Sequence, residues 1–149
     1  MIHRRKHASL RAFWQDYSAP GWYHITICLR ERGDFFGRIE WGRMIRNAYG
    51  DFVQEILDFL PYRYPDVRID TSIIMPDHVH CLVEIEQTSL RRIPPLPGSF
   101  REWRLQRRKM TIPLLVGFLK MHTARKINCI LGTQGMPLWQ ERYYDRIIR

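Results

Sequence analysis

The sequence predicts an α+β fold, a ferredoxin-like antiparallel sheet carrying two helices on one face. Three observations predict it. Along the chain the segments read strand, helix, strand, strand, helix and a last short element. The strand segments alternate apolar and polar residues with a period of two, as half-buried strands do. The two long apolar-periodic segments return at helical spacing, so each has one stripe to bury on a sheet.

Residues 22–30 form the first strand, with Tyr23, Ile25, Ile27 and Leu29 on one side and His24, Thr26 and Cys28 on the other. Gly33 and Gly37 punctuate the following loop. From Trp41 to Leu60 the residues Ile45, Tyr49, Phe52, Val53, Ile56, Leu57 and Leu60 predict a helix that Pro61 ends. Val67, Ile69 and Thr71, continuing into Ile73, Ile74 and Met75, suggest a second strand. Pro76 and Asp77 make a turn. Residues 78–86 then alternate strictly, which points Val79, Cys81, Val83 and Ile85 at the helices and leaves His78, His80, Leu82 and Glu84 on the open face. Pro94, Pro95, Pro97 and Gly98 keep the first half of a basic segment, 87–109, from being helical, and the segment reads as an inserted loop. Pro113 suits the first turn of a second helix, which Leu115, Phe118, Leu119, Ile127, Ile130 and Leu131 would bury and Gly132 would close.

A chain of 149 residues suits one domain, and no internal repeat or low-complexity tract divides it. No apolar run approaches the roughly 20 residues that span a bilayer, and the basic start lacks the apolar stretch of a secretory signal. The three cysteines, Cys28, Cys81 and Cys129, are too few and too scattered for a disulfide framework or a zinc knuckle. These features predict a cytoplasmic protein with reduced thiols and no membrane contact. Lys and Arg number 24 against 15 Asp and Glu, a formal charge of +9. Such an excess favours a polyanionic partner, most often nucleic acid.

His78-Val79-His80 is the sharpest chemical feature. Residues i and i+2 of a strand share a face about 7 Å apart, so two imidazoles can converge on one metal ion. The spacing alone favours two polar residues on a solvated strand face.

The surrounding stretch, Ile73-Ile74-Met75-Pro76-Asp77-His78-Val79-His80, resembles the hallmark of the HUH single-strand DNA transposases, two histidines flanking an apolar residue just after a Met-Pro turn. Trp22-Tyr23-His24-Ile25-Thr26-Ile27-Cys28 is similar to that family's first strand, and Phe35-Phe36-Gly37 to the segment after it. Phe118-Leu119-Lys120, Trp139-Gln140, Tyr143-Tyr144-Asp145 and Ile147-Ile148-Arg149 resemble its later blocks. By these motifs, which run from Trp22 to Arg149, the chain resembles the REP-associated tyrosine transposases.

The resemblance implies the HUH endonuclease fold and the cutting and rejoining of single-stranded DNA beside a REP-like hairpin, in a nucleoid-associated setting. It implies Mg²⁺ or Mn²⁺ held by His78 and His80 with one further polar group, and a tyrosine that takes the 5′-phosphate while releasing a 3′-hydroxyl. A cation at the phosphate oxygens offsets the charge that develops there. Two departures stand out. Asp77 occupies a position where the family usually has Asn; a carboxylate there either tunes metal affinity or adds nothing, and the second is the preferred expectation. The family's nucleophilic tyrosine lies on a helix after the Ile-Ile-Arg block, whereas this sequence ends at Arg149. The expectation is an interrupted gene, a shortened segment, or a tyrosine supplied by the partner of a homodimer.

Tyr143 and Tyr144 are the weak substitutes for the nucleophile, and the family match makes them structural residues of a terminal strand. His24 shares the open face and either lines the site or is a partly exposed strand residue. Glu84 lies too far along its strand to join both histidines, and His122 reads as a boundary residue of the second helix. For DNA the candidates are Arg91, Arg92, Arg101, Trp103, Arg104, Arg107, Arg108 and Lys109, with Phe100 interleaved, since arginines contact phosphates and aromatic rings stack on bases. A solvated charge run fits that segment as well. Lys120, Arg125 and Lys126 extend the surface, and Arg4, Arg5 and Lys6 form a basic arm. The competing reading is a non-catalytic DNA- or RNA-binding remnant on a ferredoxin-like sheet. An open face bearing His78, His80 and Glu84 in place of paired aromatics weighs against it.

Overall fold

A computed structural model describes residues 15–86 and 98–148. Four strands form the main sheet, β1 (Gly21–Cys28), β4 (Val67–Ile74), β5 (His78–Ile85) and β6 (Tyr144–Ile148), in the order β4-β5-β1-β6 with every pairing antiparallel. That order is the ferredoxin-like one. A separate ribbon, β2 (Gly37–Glu40) and β3 (Arg43–Arg46), precedes helix α1 (Ala48–Arg63), and helices α2 (Phe100–Arg108) and α3 (Thr111–Leu131) fall between β5 and β6.

Alternation decides which face is buried. Tyr23, Ile25 and Ile27 of β1 and Val79, Cys81 and Val83 of β5 are almost fully buried, packed with Val53, Leu57 and Leu60 of α1 and Ile112, Leu115, Leu119 and Ile127 of α3. A slip of one residue in β5 would turn His78 and His80 into this core and Val79 and Cys81 out to water, so the register is strongly specified. The open face carries rows set by the pairing, Trp22 beside Glu84, His24 beside Leu82, Thr26 beside His80, and Cys28 beside His78. β6 extends the first three rows with Ile148, Arg146 and Tyr144. A bulge at Asp70 keeps β4 in step, so that Ile73 pairs with His80 and Ile74 with Val79.

The helix expected from Trp41 begins only at Ala48. Asn47 caps it, its side-chain oxygen accepting from Tyr49 N at 3.0 Å and Gly50 N at 3.1 Å. The residues before it form the β2–β3 ribbon. Pro61 lies inside α1, which ends two residues later. In α3, Pro113 occupies the first turn and Gly132 closes the C-terminus in the left-handed region at φ 69°. Within the segment expected as a loop, residues 100–108 are helix α2; Arg91 and Arg92 lie outside the described residues, as do Arg4, Arg5 and Lys6.

The stretch after α3 is tied to the end of β1. Gln140 N donates to Cys28 O at 2.9 Å, Gln140 Nε2 to Leu29 O at 3.1 Å, and Arg30 N to Leu138 O at 3.0 Å. Lys120 Nζ reaches the carbonyls of Gln140, Glu141 and Arg142 at 2.8, 3.2 and 3.4 Å. Trp139 Nε1 donates to the buried Thr123 Oγ1 at 2.9 Å, which itself donates to Leu119 O at 2.8 Å. These bonds deliver β6 to the free side of β1.

Candidate metal and nucleic-acid site

His78 and His80 project side by side from the start of β5, their ring centroids 4.8 Å apart and their planes perpendicular. They line an open cavity of about 210 Å³ with Thr26, Cys28, Leu29, Arg32, Asp77, Gln140 and Tyr144. β5 supplies the histidines, β1 supplies Thr26 and Cys28, the Gln140 turn and β6 supply Gln140 and Tyr144, and the loops after β1 and before β5 supply Leu29, Arg32 and Asp77.

Each imidazole is held by a neighbour at Nδ1. His80 Nδ1 lies 2.9 Å from Thr26 Oγ1, and His78 Nδ1 lies 2.6 Å from Asp77 Oδ1. In the tautomer in which both Nδ1–H groups donate, Nε2 of each ring keeps its lone pair, the arrangement of metal-binding histidines with oriented partners. Burial, then the neighbouring His78 and His24, lowers the His80 pKa, which favours the neutral ligand form. Asp77 therefore contacts one of the two histidines. Its second oxygen lies 3.8 Å from Arg32 Nη1, an exposed guanidinium at the cavity rim.

The donor set fits a divalent cation that keeps open positions. Among the described residues no group of three His, Cys, Asp or Glu is arranged around one metal position. The pair would therefore share its ion with the Gln140 amide, water or a phosphate oxygen, as sites that act on phosphate do. Cys28 faces the cavity, but its thiol stays protonated, raised by burial more than Arg32 lowers it.

His24 stacks on His80 at 5.3 Å and lines an adjoining, largely apolar cavity of about 300 Å³ with Thr71, Ile73, Leu82 and Ile148. The two weak tyrosine candidates separate. Tyr143 is buried, and Tyr144 is half exposed on the open face in the row of Thr26 and His80. Glu84 is taken up by Arg68, whose Nε lies 2.8 Å away. His122 packs on Phe118 at 4.1 Å.

Among the described residues, none of the candidate DNA-binding residues lines the cavity itself, whose one basic lining residue other than the histidines is Arg32. Tyr17, just before β1, bonds through its carbonyl to Ile112 N at the start of α3, next to the end of α2. Trp103 is 7 % exposed, packed under Arg107, whose guanidinium also covers Tyr17 at 4.8 Å. Arg101, Arg104, Arg108 and Lys109 are exposed on that helix. Lys120 bonds to the 140–142 carbonyls, and Lys126 pairs with Glu55 at 2.7 Å. Reading residue types along the sequence missed Thr26, Arg32 and Gln140. For Thr26 a signal existed, since it shares the open face with His24; Arg32 and Gln140 come from loops with no periodicity to read.

No family model matches the chain. An uncharacterized protein of Haemophilus influenzae is 33% identical over 153 residues, covering 99% of this chain and 81% of that protein. Two solved structures share the fold. A REP-associated tyrosine transposase bound to a REP hairpin is 17% identical with a TM-score of 0.50, matching 91% of this chain, which spans 61% of its length. A candidate transposase from Deinococcus radiodurans R1 is 18% identical with a TM-score of 0.52, covering 91% of this chain and 84% of that one. Among the described residues no helix is long and apolar enough to cross a membrane.

Proposed function

The chain belongs to one family with the Haemophilus influenzae protein and carries the fold of two transposase structures, and from that premise we propose that it binds single-stranded hairpin DNA and nicks and rejoins it with a divalent cation. The observation that carries this reading is the pair His78 and His80, each fixed at Nδ1, in an open cavity that also holds an arginine and a tyrosine.

Thr26 and Asp77 orient the two imidazoles toward a cation, Mn²⁺ or Mg²⁺. When bound, the cation polarises the scissile phosphate and stabilises charge on its oxygens. Mn²⁺ is the better fit, because Mg²⁺ takes nitrogen ligands reluctantly. Arg32 at the rim suits a neighbouring phosphate of the same strand. Rejoining requires that the bond energy be kept in a covalent link. A phenol oxygen bonds to phosphorus, the bond from phosphorus to the 3′ oxygen breaks, and the proton lost by the phenol is balanced by one gained at the new 3′-hydroxyl. Tyr144 is the tyrosine lining the cavity among the described residues.

The test is a denaturing-gel assay with labelled single-stranded hairpin DNA and Mn²⁺, run on the wild type, the His78→Ala/His80→Ala double variant and Tyr144→Phe. A cut or adduct that needs the metal and both histidines is expected. An adduct that survives Tyr144→Phe assigns the attack to another tyrosine. Binding that neither chelation nor the double variant disturbs would establish a non-catalytic binding module and overturn the nicking activity.

A further inference from the structure

The turn joining β2 to β3 is Trp41-Gly42, with φ 51° at Trp41 and 73° at Gly42. Positive φ at both central residues is the type I′ hairpin, whose first position normally takes Asn, Asp or Gly. A bulky side chain is disfavoured there because its Cβ crowds the following carbonyl. Trp41 is also 100% exposed, so its indole gains no burial in the fold. Both facts count against tryptophan at this position on grounds of stability alone, and strain of this kind gathers at functional positions.

The ribbon is held firmly at its root. Phe36 N donates to Pro76 O at 2.9 Å, Asn47 N to Phe36 O at 3.0 Å, and Asn47 Nδ2 to Phe35 O at 2.8 Å. At Gly37, φ is 138° and a Cβ would lie 2.1 Å from Ile45 O, so the strands close tightly there. The ribbon therefore rises from the Pro76-Asp77 turn that leads directly into His78. Its surface is basic and apolar together. Arg38, Arg43 and Arg46 are exposed, as are Ile39 and Ile45. Arg38 is paired with Glu40 and Arg46 with Asp51, while Arg43 has no ion pair among the described residues. An exposed indole on a ribbon that also exposes guanidinium groups, on a chain of charge +9, is complementary to a polyanion with flat, unpaired bases.

We infer that the β2–β3 ribbon is a second DNA contact, at which Trp41 stacks on an unpaired base of the strand leaving the His78/His80 cavity and Arg43 meets an adjacent phosphate. This rests on the reading of that cavity as a single-strand DNA site.

The experiment measures anisotropy of a labelled DNA hairpin carrying a single-stranded extension, with the whole chain as wild type, Trp41→Ala, Trp41→Phe and Trp41→Asn, and a melting curve for each. Trp41→Ala is expected to weaken binding about tenfold, the order of one lost base stack, and Trp41→Phe to keep most of the affinity. Trp41→Asn should raise Tm, since Asn-Gly suits the turn, and still weaken binding. One abasic position in the extension should weaken the wild type and leave Trp41→Ala unaffected. Unchanged affinity in Trp41→Ala and Trp41→Asn while the wild type binds would overturn the ribbon's role alone. No binding by the wild type would overturn the cavity's reading and the ribbon's together. A dimer by light scattering that Trp41→Asn converts to monomer, with DNA affinity unchanged, would assign the indole to a second copy and also overturn the inference.

Discussion

Thr26 Oγ1 and His80 Nδ1 lie 2.9 Å apart, across the pairing of β1 with β5. The hydroxyl holds the ring orientation, and where it accepts from Nδ1–H it leaves Nε2 for a ligand. Thr26→Val keeps the shape and removes the hydrogen bond. It is expected to weaken Mn²⁺ binding by about 10- to 100-fold, the usual effect of losing such a partner, with Tm little changed and Thr26→Ser restoring affinity. Titration followed by the Mn²⁺ paramagnetic signal measures it. Equal affinity in wild type and Thr26→Val would mean that the hydroxyl has no part in holding the ion.

The face on which His78 and His80 stand could be read directly from alternation, because Val79 and Cys81 must enter the core and leave the histidines outside. The order of the sheet followed from the order of the elements. The β2–β3 ribbon could not be read so, since Ile45 and Tyr49 continue the helical spacing of α1 backward over a turn that only the Asn47 cap and two positive φ values define. The interleaved aromatics of the basic segment were equally ambiguous. A buried Trp103 and exposed arginines make an amphipathic helix as readily as a base-stacking surface. The contact of Asp77 with His78 was not legible either, because it depends on the turn that aims the carboxylate at Nδ1.

Gly50 makes a prediction opposite in sign to helix propensity. It stands in the first turn of α1, where alanine would ordinarily be better by about 1 kcal/mol. Here a Cβ would lie 2.4 Å from Phe36 O and 3.1 Å from Arg46 Cβ. The contact is with backbone at the root of the ribbon, so relief requires the helix or the ribbon to move. Gly50→Ala should destabilise the protein by about 2 kcal/mol, within the range for overpacking. Urea unfolding checks this, and a stability gain would refute the close approach.

The cysteines predict a chemical order and a pH dependence. Cys129 is exposed, Cys28 is half buried, and Cys81 is buried with its pKa pushed from 9.0 to about 12 by burial. Native alkylation at pH 8 should modify Cys129 first, Cys28 more slowly and Cys81 only on unfolding, as mass spectrometry of timed samples would show. The sign for stability follows from linkage. A folded-state pKa above the unfolded value means that the folded protein holds the proton more tightly. This contribution is fully present below pH 9 and is lost as pH rises toward 12. Cys81→Ala should flatten that alkaline fall of Tm, while costing some stability at pH 7 through the lost packing.

Lys120 separates two roles by two readouts. As an exposed basic residue it would add to a DNA surface. In the fold its ammonium meets the carbonyls of Gln140, Glu141 and Arg142, the turn that carries Gln140 to the cavity and leads into β6. Replacing it by methionine keeps most of the packing and removes the charge-assisted bonds. For this partly exposed group we expect a loss of about 1–2 kcal/mol, near the lower end for hydrogen bonds to charged groups. Amide exchange should quicken in Tyr144–Ile148, while the dependence of DNA affinity on salt concentration stays as in the wild type. A phosphate contact would instead reduce that slope by about one and leave β6 exchange alone. Measuring exchange and salt slope on the same Lys120→Met protein decides between them, because each role moves the quantity that the other leaves fixed.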